Sequence, residues 1–227
     1  MSDPAASPFD QSFFQVALDW GVDGLARLAP VDIVVVVDVL RLSTQAVDAA
    51  AAGRALPLAG SASVNGAPLA AAASGALVAD GGGSRDRSSA AGAVVVAGCL
   101  RNARAVAQWI LAEQHRRGGR VRVAVLPAGE GADAASARFA IEDQLGAGAV
   151  VAALVDLGID HSSPEAAVAC EAFRALRGAV RHLLLAGGSG QELVERGLRD
   201  DVLHAAEIDA DDVVPVLRAG EFVRFAG

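Results

Sequence analysis

The sequence predicts an α/β fold with a mostly parallel or mixed sheet. Ile33-Val34-Val35-Val36-Val37 is a continuous β-branched run with no polar interruption, the pattern of a strand covered on both faces. Further apolar runs at 93–97 and 121–126 are separated from it and from each other by segments of helical character. Strands alternating with helices define this class.

Taken in order, residues 1–10 carry two Pro and small polar groups, so the first few are expected to be loose. Phe13, Phe14 and Trp20 are expected to pack the N-terminal segment onto the core. After the strand at 33–37, a helix is expected over 46–52, closed by Gly53. Residues 57–91 are rich in Ala, Gly and Ser, and Gly81-Gly82-Gly83-Ser84 reads as a flexible loop. A strand at 93–97 precedes a helix over 102–116, ended by Gly118-Gly119. A strand at 121–126 leads through a loop at 127–137 to an apolar helix over 141–156. Ser163-Pro164-Glu165 combines a cap, Pro at the first helical position and an early acid. That helix is expected to reach about Arg177. A strand at 182–186 is then expected to enter a glycine-rich turn, 187–190, followed by a helix over 191–196 ending at Gly197. Strand-like pieces at 213–225 are broken by Pro215 and Gly220. The expectation is one domain over 1–227, with a flexible stretch at about 57–91.

Composition excludes several chemistries. All 19 basic residues are Arg, and Lys and Tyr are absent. No lysine-dependent phosphate loop or Schiff base is available, and no phenolic acid. Anions must be handled by Arg, backbone N–H groups, helix N-termini or a metal. A net charge of −8 argues against nucleic acid as a partner, but not against a small anion met by local Arg. Cys99 and Cys170 form no CxxC pair, which fits free thiols in a reducing compartment. No stretch has the length and apolarity of a membrane span, and no basic-then-apolar leader is present. A soluble, cytoplasmic protein is expected. Ala-rich helices are compatible with a homo-oligomer without requiring one.

In α/β sheets, ligands bind beyond the carboxyl ends of the strands. Four expected strand ends carry polar residues. The first is Asp38-Val39-Leu40-Arg41-Leu42-Ser43-Thr44. Its carboxylate can hold Mg²⁺, and its guanidinium can pair two phosphate oxygens; equally, Asp38 can close a turn and Ser43 cap a helix. The second, Gly98-Cys99-Leu100-Arg101-Asn102-Ala103, offers Asn102 as a ligand contact or a helix cap. The third, Pro127-Ala128-Gly129-Glu130, offers Glu130 from a tight turn, or an exposed loop acid. Glu142-Asp143 follows, at a helix start whose dipole favours both carboxylates. Adjacent helix positions diverge by about 100°, so one of the two, rather than the pair, is expected to meet Asp38. The fourth, Gly187-Gly188-Ser189-Gly190, is either an anion nest at a helix N-terminus or a plain strand-to-helix turn. The four histidines form no paired metal-ligand spacing.

In this order, the segments resemble the 2-phosphosulfolactate phosphatase family. The resemblance rests on Asp38-Val39-Leu40-Arg41 with Ser43-Thr44, and on Gly98-Cys99-Leu100-Arg101-Asn102-Ala103 with Ala105-Val106-Ala107. It extends through Ala128-Gly129-Glu130, Glu142-Asp143 with Gly146-Ala147-Gly148-Ala149, and Ser189-Gly190 with Glu192-Leu193. Asp201-Val202 with Ala205-Ala206, and Val214-Pro215-Val216-Leu217, close it, and Gln11-Ser12 and Trp20-Gly21 add to it at the front. It implies a three-layer α/β/α sandwich and a Mg²⁺-dependent phosphatase that forms sulfolactate from a small sulfonated phosphate ester. Carried over, Asp38, Arg41 and Glu142 are catalytic candidates, and Asp38 and Asp143 metal candidates. Ser43, Thr44, Asn102, Glu130, Ser189 and Gly190 are substrate-contact candidates. One departure is visible. The Gly-Glu-Arg, Asn-Ser-Pro or Ser-Pro, and Thr-Asn-Gly or Pro-Asn-Gly blocks usual in the family are not found before Gly98, where Ser84-Arg85-Asp86-Arg87-Ser88-Ser89 is the polar cluster. A non-catalytic member that binds a small anionic ligand or a protein partner is therefore the alternative.

Overall fold

A computed structural model of the chain describes residues 7–59, 63, 66–79, 92–131 and 138–225. The glycine run at 81–84 and the polar cluster at 84–89 lie outside them. Seven strands form one mixed sheet: β1 (Val16–Leu18), β2 (Ile33–Val37), β3 (Leu56–Pro57), β4 (Val94–Gly98), β5 (Val123–Pro127), β6 (Pro215–Arg218) and β7 (Glu221–Arg224). Their order is β1-β5-β2-β4-β6-β7-β3. The first four positions pair in parallel, and β6, β7 and β3 continue the sheet antiparallel.

β2 lies between β5 and β4, and all five of its side chains are buried. Ile33, Val35 and Val37 join one core cluster, with Val106, Ile110, Leu145 and Val150. Val34 and Val36 join a second, with Leu42, Ala46, Leu69 and Ala70. The uninterrupted apolar run thus serves two helical layers, as a strand covered on both faces must. The first layer comprises α4 (Ala103–Arg117), α5 (Ile141–Asp156) and α6 (Pro164–Leu176). The second comprises α1 (Gly21–Arg27), α2 (Leu42–Ala51) and α3 (Gly66–Ala79). The chain leaves β2 towards one face and the neighbouring β5 towards the other. That arrangement opens a crevice at the carboxyl ends of these two strands.

Several expectations are met closely. α5 has the expected limits, Gly118 ends α4 in a left-handed conformation, and Ser163 Oγ accepts the Ala166 N–H at the start of α6. Others change. Residues 182–186 are not a strand but part of α7 (Val180–Ala186): Val180 and Leu184 are buried one turn apart, while Arg181 and His182 are exposed. The glycine-rich turn after it therefore joins two helices, and α8 (Gly188–Glu195) begins within it. α2 starts at Leu42, not at Ala46. Within the Ala-rich 57–91 region, α3 buries Leu69, Ala70 and Ala73. β1, α1 and α9 (Arg199–Ala205) are too short to leave a periodic signal. Trp20 packs on the core, but Phe13 is largely exposed and meets Phe14 and His161 edge-on. Among the described residues, no helix is long and apolar enough to cross a membrane.

The α5–α6 contact is close because α5 presents Gly148 there. A Cβ on Gly148 would lie 2.1 Å from Ala169 O and 2.8 Å from Phe173 Cβ. Gly148→Ala is therefore expected to force the helices apart and cost about 1–3 kcal/mol, read as a lower midpoint of urea unfolding.

Candidate functional site

The crevice beyond β2 and β5 is a cleft of about 560 Å³. Asp38, Arg41, Ser63, Glu130, Glu142 and Asp143 line it, with Gly188, Ser189 and Arg138 at its far side. Three separate stretches of chain thus bring their acids together.

Asp38 follows β2 directly. Its N–H donates to Ser43 Oγ (2.9 Å), and that hydroxyl donates to Val36 O (3.0 Å). The Ser63 hydroxyl donates to Asp38 Oδ2 (2.5 Å). Burial raises the Asp38 pKa above the usual carboxylate range; the Ser63 hydroxyl, the Leu42 N–H and the Arg41 charge oppose the rise. Arg41 stands at the N-cap of α2.

Asp143 and Glu142 sit in the first turn of α5. Asp143 Oδ1 accepts the Val39 N–H (2.8 Å), from the loop after β2. Its Oδ2 accepts the Gly129 N–H (2.9 Å), from the loop after β5. Gly129 adopts a left-handed φ of 73°, open to glycine without strain, which turns its amide towards the acid. Asp143 is held well above the ordinary carboxylate range, by burial first and then by the Asp38 and Glu142 charges. Burial also raises Glu142, with the Ser189 hydroxyl opposing it and the Glu130 and Asp38 charges adding to it. Glu142 Oε2 is buried and has no hydrogen-bond partner among the described residues.

Glu130 is not an exposed loop acid. It accepts the Ser189 N–H at the start of α8 (2.6 Å) and the Ser189 hydroxyl, and it pairs with Arg138 (2.7 Å). It anchors the N-terminus of α8 to the cleft, where a carboxylate matches the helix dipole. Gly190 meets α7 rather than the cleft: a Cβ there would fall 1.7 Å from Leu184 O.

The remaining expected contacts serve the scaffold. Thr44 Oγ1 donates to Val39 O (2.6 Å). Ser43 is fully buried and bonded as above. Asn102 is fully buried: its Oδ1 accepts the Cys99 N–H (2.9 Å), and its amide donates to Ala97 O (3.2 Å) and Val213 O (3.1 Å). It ties β4 to the approach of β6 and is absent from the cleft lining. Arg101 is likewise tied to Asp211, Glu207 and His204 O. The second polar strand end thus locks the fold, while the first and third build the cleft.

Ser63, Gly66 and Arg138 belong to the site although no motif singled them out. Ser63 Oγ accepts the Gly66 N–H (2.8 Å), so a hydroxyl three residues before a glycine, ahead of an Ala-rich run, was the available signal. Arg138 had none. Among the described residues, no set of three or more His, Cys, Asp or Glu side chains converges enough to hold a metal alone. The cleft offers carboxylate oxygens and a guanidinium, a donor set suited to a hard cation together with a phosphate.

Two outcomes follow. Asn102→Ala leaves three backbone groups short of partners and is expected to cost about 1–3 kcal/mol in urea unfolding, without altering ligand affinity measured by calorimetry. For Glu142, a folded-state pKa above its unfolded value stabilises below the unfolded pKa, and that stability is lost as pH rises through the folded pKa. Glu142→Gln is therefore expected to gain stability relative to the parent as pH rises above the ordinary glutamate range in chelator-treated samples. Parallel stability-against-pH curves for the two proteins would contradict this.

The matched segments can now be set against known proteins. A family model described as 2-phosphosulpholactate phosphatase matches residues 80–220, more than half of the chain. The span takes in Asn102, Glu130, Glu142, Asp143 and Ser189, and leaves out Asp38, Arg41 and Ser63. The fold brings both groups to one cleft. The chain belongs to the 2-phosphosulfolactate phosphatase family.

Proposed function

We propose that the chain hydrolyses a small sulfonated phosphate ester, 2-phosphosulfolactate-like, to sulfolactate and phosphate, with Mg²⁺, in the cleft beyond β2 and β5. The observation that carries this reading is the convergence of Asp38, Glu142 and Asp143 with Arg41 in one crevice of a phosphatase-family chain. Arg41 neutralises charge on the phosphoryl group as it is transferred. Glu142, buried and raised above the ordinary carboxylate range, is the acid that donates a proton to the leaving oxygen.

The residues present fit a magnesium ion. Each Asp143 oxygen receives one N–H and keeps a second lone pair, and among the described residues Glu142 Oε2 has no partner. Mg²⁺ is usually held by one or two carboxylates, waters and substrate phosphate, so a complete protein cage is not required. Asp38 and Asp143 are the residues that would hold it, and it would supply Lewis-acid stabilisation of the phosphate oxygens. Of the substrate contacts expected beyond these, Glu130 and Ser189 remain at the cleft.

A second reading, ligand binding without turnover, draws on the family match starting at residue 80 and on the missing polar blocks before Gly98. Phosphate release over a panel of small phosphate esters, with and without Mg²⁺, separates the two. Release from 2-phosphosulfolactate that needs Mg²⁺ is expected. Asp38→Asn is expected to abolish it, and Arg41→Gln to lower kcat by about 10²–10³-fold. Activity surviving Asp38→Asn would remove Asp38 from the mechanism; binding with no release would establish the second reading.

A further inference from the structure

We infer that Ser63 is a positioning residue that orients the Asp38 carboxylate, with Gly66 as its support; this rests on the phosphatase reading above. An aspartate carboxylate turns about a soft final torsion with broad wells, so a catalytic Asp needs tethers to hold one orientation. Ser63 supplies one. Its Oγ accepts the Gly66 N–H (2.8 Å) at the first turn of α3 and donates to Asp38 Oδ2 (2.5 Å). With its lone pair facing that amide, the hydroxyl proton is directed onto the carboxylate, and each bond polarises the other.

Gly66 makes the approach possible. A Cβ there would lie 2.1 Å from Asp38 Oδ2 and 2.8 Å from Ser63 Oγ. The opening of α3 is thus fitted against the carboxylate itself. A serine serving only as a helix cap would need the Gly66 amide and nothing more. Ser63 is 6% exposed, yet it lines the cleft and reaches an acid 25 residues earlier in the chain. The Ala-rich region before Gly98, which lacks the usual polar blocks, therefore still delivers a side chain to the site.

Kinetics of phosphate release from 2-phosphosulfolactate, with crystal structures of Ser63→Ala and Ser63→Thr, test this. Ser63→Ala is expected to lower kcat by about 10-fold to 10²-fold, the scale of a small misplacement of a reacting group. KM and the urea midpoint should stay unchanged, and the Asp38 carboxylate should leave its parent rotamer. Ser63→Thr, which keeps the hydroxyl, should restore both kcat and the rotamer. The inference is overturned if Ser63→Ala keeps the parent kcat, if its loss follows a fall in stability, or if Asp38 does not move. If the parent protein releases no phosphate from any ester, the phosphatase reading fails. The Asp38 rotamer in the Ser63→Ala crystal then decides the positioning role by itself.

Discussion

The cleft depends on one buried carboxylate. Asp143, on the first turn of α5, accepts an amide from the loop after β2 and another from the loop after β5. Those strands are neighbours in the sheet, and their following helices cover opposite faces. At such a point the two loops diverge, and little backbone pairing holds them together. Asp143 closes that gap with one hydrogen bond to each loop. Asp38 and Glu130 take their places from the loops so fixed.

The same arrangement is costly for the protein alone. Burial pushes Asp38, Glu142 and Asp143 towards their neutral forms, and the charges of neighbouring carboxylates add to it at Glu142 and Asp143. Crowding of this kind is poor for stability and useful for chemistry, because it separates groups that hold a proton from groups that lose one. The guanidinium of Arg41 and the Leu42 amide at Asp38, and the Val39 and Gly129 amides at Asp143, offset part of this cost. The stabilising interactions lie elsewhere, in the two apolar cores on either side of β2 and in the Arg101 network that joins β4 to the approach of β6.

Much of the scaffold was legible. The run at 33–37 could only be a strand buried on both faces, and the caps at Ser163 and Gly118 act through neighbours three or four residues away. The short apolar run at 182–186 was not legible, because five residues fit a strand or one helical turn equally well. Its place outside the sheet, with Leu184 buried and His182 exposed, decides for helix. α3 was hidden for a related reason: Ala-rich sequence carries little periodic contrast, and its apolar side is defined only by packing on the sheet.

The site divides in the same way. Sequence alone determined that polar groups would gather at the carboxyl ends of β2 and β5, and that carboxylates and Arg would carry any anion chemistry, since Lys and Tyr are absent. It did not determine which polar residues face the cleft. Asn102 and Ser63 are both buried polar side chains; one faces Val213 O, 111 positions away, and the other Asp38. Only the tertiary structure decided that Asn102 supports the fold and Ser63 enters the site. The physical reason is that a buried polar group takes its role from the partner that satisfies it, and these partners are set by the packing of distant strands and helices.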